Sequence, residues 1–193
     1  YAQLQQPANL EKSLKQIFPH ACFALTKSGR TAERVFYRAW PNKGVVPQNL
    51  LFPTTLFHQI DQGFTPMELP HPEVFRLDST TLFKGDLDWP ALQQQVADPA
   101  NNIALVCIEL SNNAAGGHPV SIQHLRKIKA LLAGKSIALV IDATRIIENA
   151  LFAIEHDTEQ AGKDVWQVTR EILGYADAVV ASLAKDFCIP AGL

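Results

Sequence analysis

Asn113, Asp142 and Lys185 each follow a short apolar run, and together they supply an amide, an acid and a primary amine. The runs are Ile103 to Leu110, Ile137 to Ile141 and Ala178 to Ala181. An acid that ends an apolar strand is costly unless it meets a cation or hydrogen-bond donors. Asp142 therefore either makes a local cap or ion pair, with Arg145 three residues on as partner, or belongs to a site. Lys185 lies in the largely apolar stretch Ser182 to Pro190, where loss of water would favour the neutral, nucleophilic amine that a Schiff-base lysine requires. Asp186 beside it favours the ammonium form instead, and a solvated surface lysine is the other reading. Asn112 to Pro119 is a loop of small residues. It either lets backbone approach a ligand closely or makes a plain left-handed turn before the next helix.

The elements that must position these residues follow from periodicity. Leu10, Leu14, Ile17 and Phe18 fall at helical spacing behind Asn9. Ala21 to Leu25 reads as a buried strand, and Ser28-Gly29-Arg30 leads into a helix over Thr31 to Trp40. The proline-rich stretch from Pro66 to Pro72 reads as an interruption, giving one domain with one long connection. The second half is more regular. Asp88 caps a helix through Val96, and helices over Ser121 to Leu132, Arg145 to Glu155 and Asp164 to Leu173 alternate with the three apolar runs. Continuous apolar strands alternating with amphipathic helices predict an α/β fold with a mainly parallel sheet sandwiched by helices. In such sheets ligands bind beyond the carboxyl ends of the strands, where Asn113, Asp142 and Lys185 fall.

Composition narrows the function classes. At 193 residues, 47% hydrophobic and 19% charged, the chain can bury a core and is not disordered. A net charge of -2 without a basic run gives no reason to expect nucleic acid or an anionic membrane as partner, and no apolar run approaches a membrane span. Cys22, Cys107 and Cys188 are widely spaced and odd in number, which fits a reducing cytoplasm rather than a disulfide framework or a CxxC metal site. The six histidines lack zinc-site spacing and no GxSxG frames a serine, so neither a metal centre nor a serine hydrolase is expected. Tyr1 to Gln6 lacks signal-peptide order, and both ends read as cut from a longer chain.

In combination and order, several motifs resemble the β-eliminating lyases of the vitamin B6 enzymes, the family of tryptophanase and tyrosine phenol-lyase. They are Asn113 to Gly117 with Pro119-Val120-Ser121, Asp142-Ala143-Thr144-Arg145 with Glu148-Asn149-Ala150, Tyr175-Ala176-Asp177, and Ser182 through Gly192. Upstream, Ser28-Gly29-Arg30 with Ala32-Glu33, Phe52 with Thr54-Thr55, and Phe83-Lys84-Gly85-Asp86 echo the same pattern more weakly. The resemblance implies the pyridoxal-phosphate-dependent large domain of the aspartate aminotransferase fold (fold type I). Residues 1–193 would form one incomplete domain without the family's N-terminal segment and C-terminal small domain.

By that likeness, Lys185 would bind pyridoxal phosphate covalently and Asp142 would hold its pyridine nitrogen protonated. Asn113 would contact the phenolic oxygen, with Arg145 nearby, and Phe52 would stack on the ring. Ser28, Gly29, Arg30 and Ser182 would contact the phosphate, Gly29 and Arg30 at a helix start that favours an anion. The implied activity is β-elimination of an aromatic amino acid to pyruvate, ammonia and the released side chain. Transamination and a non-catalytic module of the same fold are the alternatives. The partners implied are an amino-acid substrate and further copies of the chain, as a homodimer or homotetramer. The family's monovalent cation gains no support from this stretch, because the glutamate that helps bind it lies in the N-terminal segment. Three departures stand out: Ala184 where the family has a second lysine, Ser28 where it has glutamine, and Pro53 where it often has threonine.

Overall fold

The computed structural model describes residues 9–50 and 52–189. Its sheet has five parallel strands, β1 (Val45–Gln48), β2 (Thr65–Glu68), β3 (Leu105–Glu109), β4 (Ala138–Asp142) and β5 (Ala178–Val180), in the spatial order β2-β1-β3-β4-β5. The helices are α1 (helical over 9–14), α2 (Gly29–Ala39), α3 (Pro53–Asp61), α4 (Trp89–Ala97), α5 (Ile122–Leu132), α6 (Ile146–His156) and α7 (Val165–Gly174). This is the expected α/β architecture. Alternate residues of each strand serve opposite faces. Val106, Ile108, Leu139 and Ile141 enter a large core with side chains of α4 to α7. Leu105, Cys107 and Val140 enter a smaller one with Tyr37 of α2, Val46 and Phe64.

The helix starts expected in the second half are present. The side chains of Asp88, Ser121 and Asp164 accept N–H bonds at the starts of α4, α5 and α7, each cap contributing about 1 kcal/mol. Ser28 does the same for α2. Two expectations upstream fail. Ala21 to Leu25 is not a strand but an irregular segment with mostly exposed side chains. The supposed long connection contains β1, α3 and β2, and Pro66 lies inside β2 at the sheet edge, where a missing N–H is tolerated. Pro47 sits in the interior strand β1. There Val45 pairs with Ile103 and Gln48 with Cys107, three steps along β1 against four along β3. The ladder is interrupted where proline could not have donated.

The chain passes from β1 to β2 in one direction and returns to β3 on the other side of β1, which makes the gap between the carboxyl ends of β1 and β3 the switch point of the sheet. Asn49 spans it: its Oδ1 accepts the Glu109 N–H at 3.0 Å, and its Nδ2 donates to the Glu109 carbonyl at 2.8 Å and to the Gly85 carbonyl at 3.0 Å. The side-chain amide thus completes the pairing that two diverging strands cannot make.

The Phe83-Lys84-Gly85-Asp86 motif buttresses this end of the sheet. Asp86 accepts from the N–H and hydroxyl of Ser121 at 2.7 and 2.8 Å, and buried His124 accepts the Leu87 N–H at 3.0 Å. A methyl group on Gly85 would collide with the His118 carbonyl oxygen and lie 2.7 Å from that of Pro119. Gly85→Ala is expected to cost about 1–3 kcal/mol of stability, read by chemical denaturation.

Candidate cofactor site

Four adjacent strand ends form one rim. Phe52 follows β1, Asn113 follows β3, Asp142 ends β4, and Ser182 and Lys185 follow β5. Neighbouring strands lie ~4.8 Å apart, so this rim spans roughly 15 Å, the scale of one aromatic cofactor with its substituents.

The β4 and β5 ends are joined through Thr144. Its N–H donates to Asp142 Oδ1 at 2.9 Å, its hydroxyl accepts the Ser182 N–H at 3.0 Å, and the Ala143 N–H donates to the Val180 carbonyl at 2.8 Å. The loop bearing Lys185 is then anchored on its other side. Asp186 Oδ2 accepts the N–H groups of Ile147 and Glu148 at 2.7 and 3.2 Å, capping α6 from another segment of the chain. That carboxylate is therefore committed to the helix start. Lys185 itself is exposed, so this stretch alone does not supply the water-poor environment considered from its apolar neighbours.

Arg145 is not the local ion-pair partner of Asp142 considered above. Its Nη1 donates to Asn113 Oδ1 at 3.0 Å, and its Nε lies 3.9 Å from Glu148. Asn113 opens a short 3-10 turn capped by the Asn112 side chain, and the turn ends at Gly116 and Gly117, whose φ values of 72° and 84° lie in the left-handed region. The left-handed turn considered for this loop is present, and Asn113 at its start lies on the rim.

At the far end of the rim, α2 begins against Ser182. A Cβ on Gly29 would lie 2.9 Å from Ser182 Cβ, so only glycine permits this approach. The first N–H groups of a helix have no carbonyl one turn back, which leaves those of Gly29 and Arg30 for an anion. Ser28 Oγ already accepts the Thr31 N–H at 3.3 Å and pairs with the Thr31 hydroxyl at 3.0 Å. Phe52 is half-buried at the N-cap of α3, and Pro53 takes the first-turn position that needs no N–H. The Pro190 to Gly192 end of the lysine-bearing stretch lies outside the described residues. Tyr175-Ala176-Asp177 belongs to the opposite end of the sheet, where Asp177 accepts the Leu139 N–H at 2.8 Å and pairs with Lys129.

Two further acids lie at the carboxyl end of the sheet: Glu109, which the sequence did not single out, and Glu33, which stood there only as part of the Ala32-Glu33 echo. Glu109 ends β3 directly beside Asp142, the two being register partners. Glu33 of α2 is buried and accepts from the Thr54 and Thr55 hydroxyls at 2.7 and 2.8 Å, tying α2 to the start of α3. Burial pushes Asp142 up to about 6 with Glu33 adding to it, and pushes Glu109 up to about 8 with Asp142 adding to it, while Arg145 acts against both. An acid closing an otherwise apolar strand was the available signal for Glu109.

Asp142 and Glu109 hold protons more tightly folded than unfolded, so the folded state loses stability as pH rises through each window. Asp86, pushed by burial up to about 7, acts in the same sense, and His124, held down to about 4, opposes it only below about pH 6.5. Between about pH 6.5 and 8 the cofactor-free protein should lose on the order of 1–2 kcal/mol through Glu109. Thermal melts across that range should show the fall, and Glu109→Gln should remove most of it.

The model of the β-eliminating lyase family matches residues 1–192. A tyrosine phenol-lyase of Fusobacterium nucleatum subsp. nucleatum is 32% identical over all of this chain and 42% of its own length. A "Probable tryptophanase" of Aeropyrum pernix is 34% identical over 82% of this chain and 34% of its own. The chain thus spans less than half the length of these relatives. Among solved structures, a candidate L-allo-threonine aldolase from Listeria monocytogenes EGD-E superposes with TM-score 0.63 at 20% identity, covering 92% of this chain and 44% of that one. An aromatic amino acid aminotransferase from Burkholderia cenocepacia J2315 gives 0.55 at 18%, covering 85% and 38%. These two share the fold. With the family's sequence pattern running through all four strand ends of the rim, the chain belongs to the β-eliminating lyases.

Proposed function

We propose that the full-length protein binds pyridoxal phosphate at this rim and cleaves the β-substituent from an amino acid, releasing pyruvate, ammonia and the side chain. The observation that carries the reading is the bonded chain of strand ends: Arg145 to Asn113, Asp142 to Thr144, Thr144 to Ser182, with Lys185 three residues further on.

The residues fit the group. A raised, poorly solvated carboxyl at Asp142 gains by facing a protonated ring nitrogen, and the Gly29–Ser182 contact with the open helix start of α2 suits a phosphate. When bound, the cofactor supplies an electron sink for the carbanion left by loss of the α-proton. Asp142 would hold the proton on the ring nitrogen, Lys185 would hold the cofactor and move the substrate's α-proton, and Phe52 would cover a ring face. Asn113 and Arg145 together orient the phenolic oxygen.

An aromatic substrate is the finer proposal, supported by the tyrosine phenol-lyase and tryptophanase relatives. The test is pyruvate release by the full-length protein from tyrosine, tryptophan and an S-alkyl cysteine. Release from none of them ends the elimination reading. Ala184, where the family has a second lysine, favours a non-catalytic module of the same fold as the second reading, which would bind the cofactor and release no pyruvate; transamination, the other alternative, would leave pyridoxamine phosphate after incubation with an amino acid.

We further infer assembly into a homodimer or homotetramer in the cytoplasm. The outer side of α3 carries Phe57 and Ile60, 61% and 59% exposed, while its buried side is the polar set Thr55, His58 and Gln59. An inverted helix of this kind suits a covered surface. Light scattering of the full-length protein reads the mass. Among the described residues no helix is long and apolar enough to cross a membrane.

A further inference from the structure

Glu109 has no role in the scheme above, yet its carboxyl sits in the crevice at the switch point of the sheet. Its backbone is clamped on both sides by the Asn49 amide, so its Cα is held with the end of β3. Its Oε1 accepts the Asn113 N–H at 3.3 Å and its Oε2 accepts Asn112 Nδ2 at 3.1 Å. Asn112 in turn donates to the Leu50 carbonyl at 2.6 Å, at the exit of β1, and accepts the Ala115 N–H at 2.9 Å. One carboxyl thus links three consecutive pieces of the rim: the strand, the turn and the exit of the neighbouring strand.

The charges around it make this placement costly. Asp142 on β4 and Glu33 on α2 repel a charged Glu109, while Arg145, bonded to Asn113, opposes them. A neutral side chain of similar size would fill the space without that repulsion. What the carboxyl adds is two acceptors directed at a turn whose key amide, Asn113, is exposed and is followed closely by two glycines in the left-handed region. Left to itself, such a turn samples many positions.

We infer that Glu109 is a positioning residue of the rim: its two oxygens hold the Asn112–Asn113 turn so that the Asn113 amide and the Arg145 guanidinium meet in one place. The inference rests on the reading that this rim binds pyridoxal phosphate, and it makes Glu109 act on the cofactor through Asn113. A residue that only supports the fold would lower the melting temperature without coupling to Asn113.

The experiment is a double-mutant cycle in the full-length protein, titrating the cofactor-free enzyme with pyridoxal phosphate. Glu109→Ala and Asn113→Ala should each weaken binding by about 10-fold, and the double variant should be no weaker than the poorer single one. Glu109→Gln, which keeps the volume and one acceptor toward the Asn113 N–H, should recover part of the loss. Additive losses, or Glu109→Ala binding like the wild type, overturn the inference. If Glu109→Ala does not fold, Glu109→Gln takes its place in the cycle under the same criteria.

A second readout needs no cofactor. Amide exchange in the cofactor-free protein should quicken at Asn113 and Ala115 in Glu109→Ala and stay unchanged in the core of β4. Unchanged exchange at the turn overturns the positioning role. Failure of the wild type itself to bind pyridoxal phosphate would overturn the cofactor reading and leave the exchange result to decide what Glu109 does to the turn.

Discussion

Lys185→Ala in the full-length protein is expected to abolish covalent capture of pyridoxal phosphate and to lower turnover by about 10⁴-fold, the upper end of what a positioned acid–base group contributes. The Lys185 amine would hold the cofactor through its aldehyde with loss of water, so borohydride reduction should fix the cofactor's mass on the Lys185 peptide of the wild type. The variant should carry it nowhere. Its fold should survive, because Lys185 is exposed and its hydrogen bonds to Ser182 and Cys188 run through the backbone. A change in unfolding free energy within about 0.5 kcal/mol is expected for so exposed a side chain. An adduct on another lysine of the wild type would remove Lys185 from the site.

Asp142→Asn should separate activity from stability in opposite directions. Asparagine keeps the oxygen that accepts the Thr144 N–H, but it cannot keep a ring nitrogen protonated. Turnover should fall by about 10²–10⁴-fold. The cofactor-free protein should be unchanged or more stable above about pH 6, because an acid whose folded value is raised by burial weakens the fold once ionised. Had Asp142 been a cap or ion-pair partner needed by the fold, the same substitution would lower stability. Melting curves at pH 7 and 8 beside the rate measurement distinguish the two, and a less stable variant with unchanged turnover would exclude the cofactor role.

Much of the architecture is local information. The caps at Asp88, Ser121 and Asp164, the apolar runs of β3 to β5 and the helical stripes between them are written in neighbouring residues, and the structure places them within a few positions of expectation. Local information misled where tertiary context overrides propensity. Prolines hid β1 and β2, which tolerate them at an interrupted ladder and a sheet edge, and an apolar run at Ala21 to Leu25 found no neighbouring strand to pair with. Periodicity alone could not say which runs find a partner.

The same division holds for the rim. By itself the sequence determined which chemistry is present: an amine, an acid and an amide, each after its own strand, in the order of a known family. Parallel strands carry their ends to one side, so the placement rule alone sufficed. Only the tertiary structure decided the partners, turning Arg145 from Asp142 to Asn113, Asp186 from Lys185 to the start of α6, and Asn49 to the end of β3. Hydrogen bonds between segments about 30 or more residues apart depend on which strands become neighbours, and that choice is made by the whole core rather than by any one stretch.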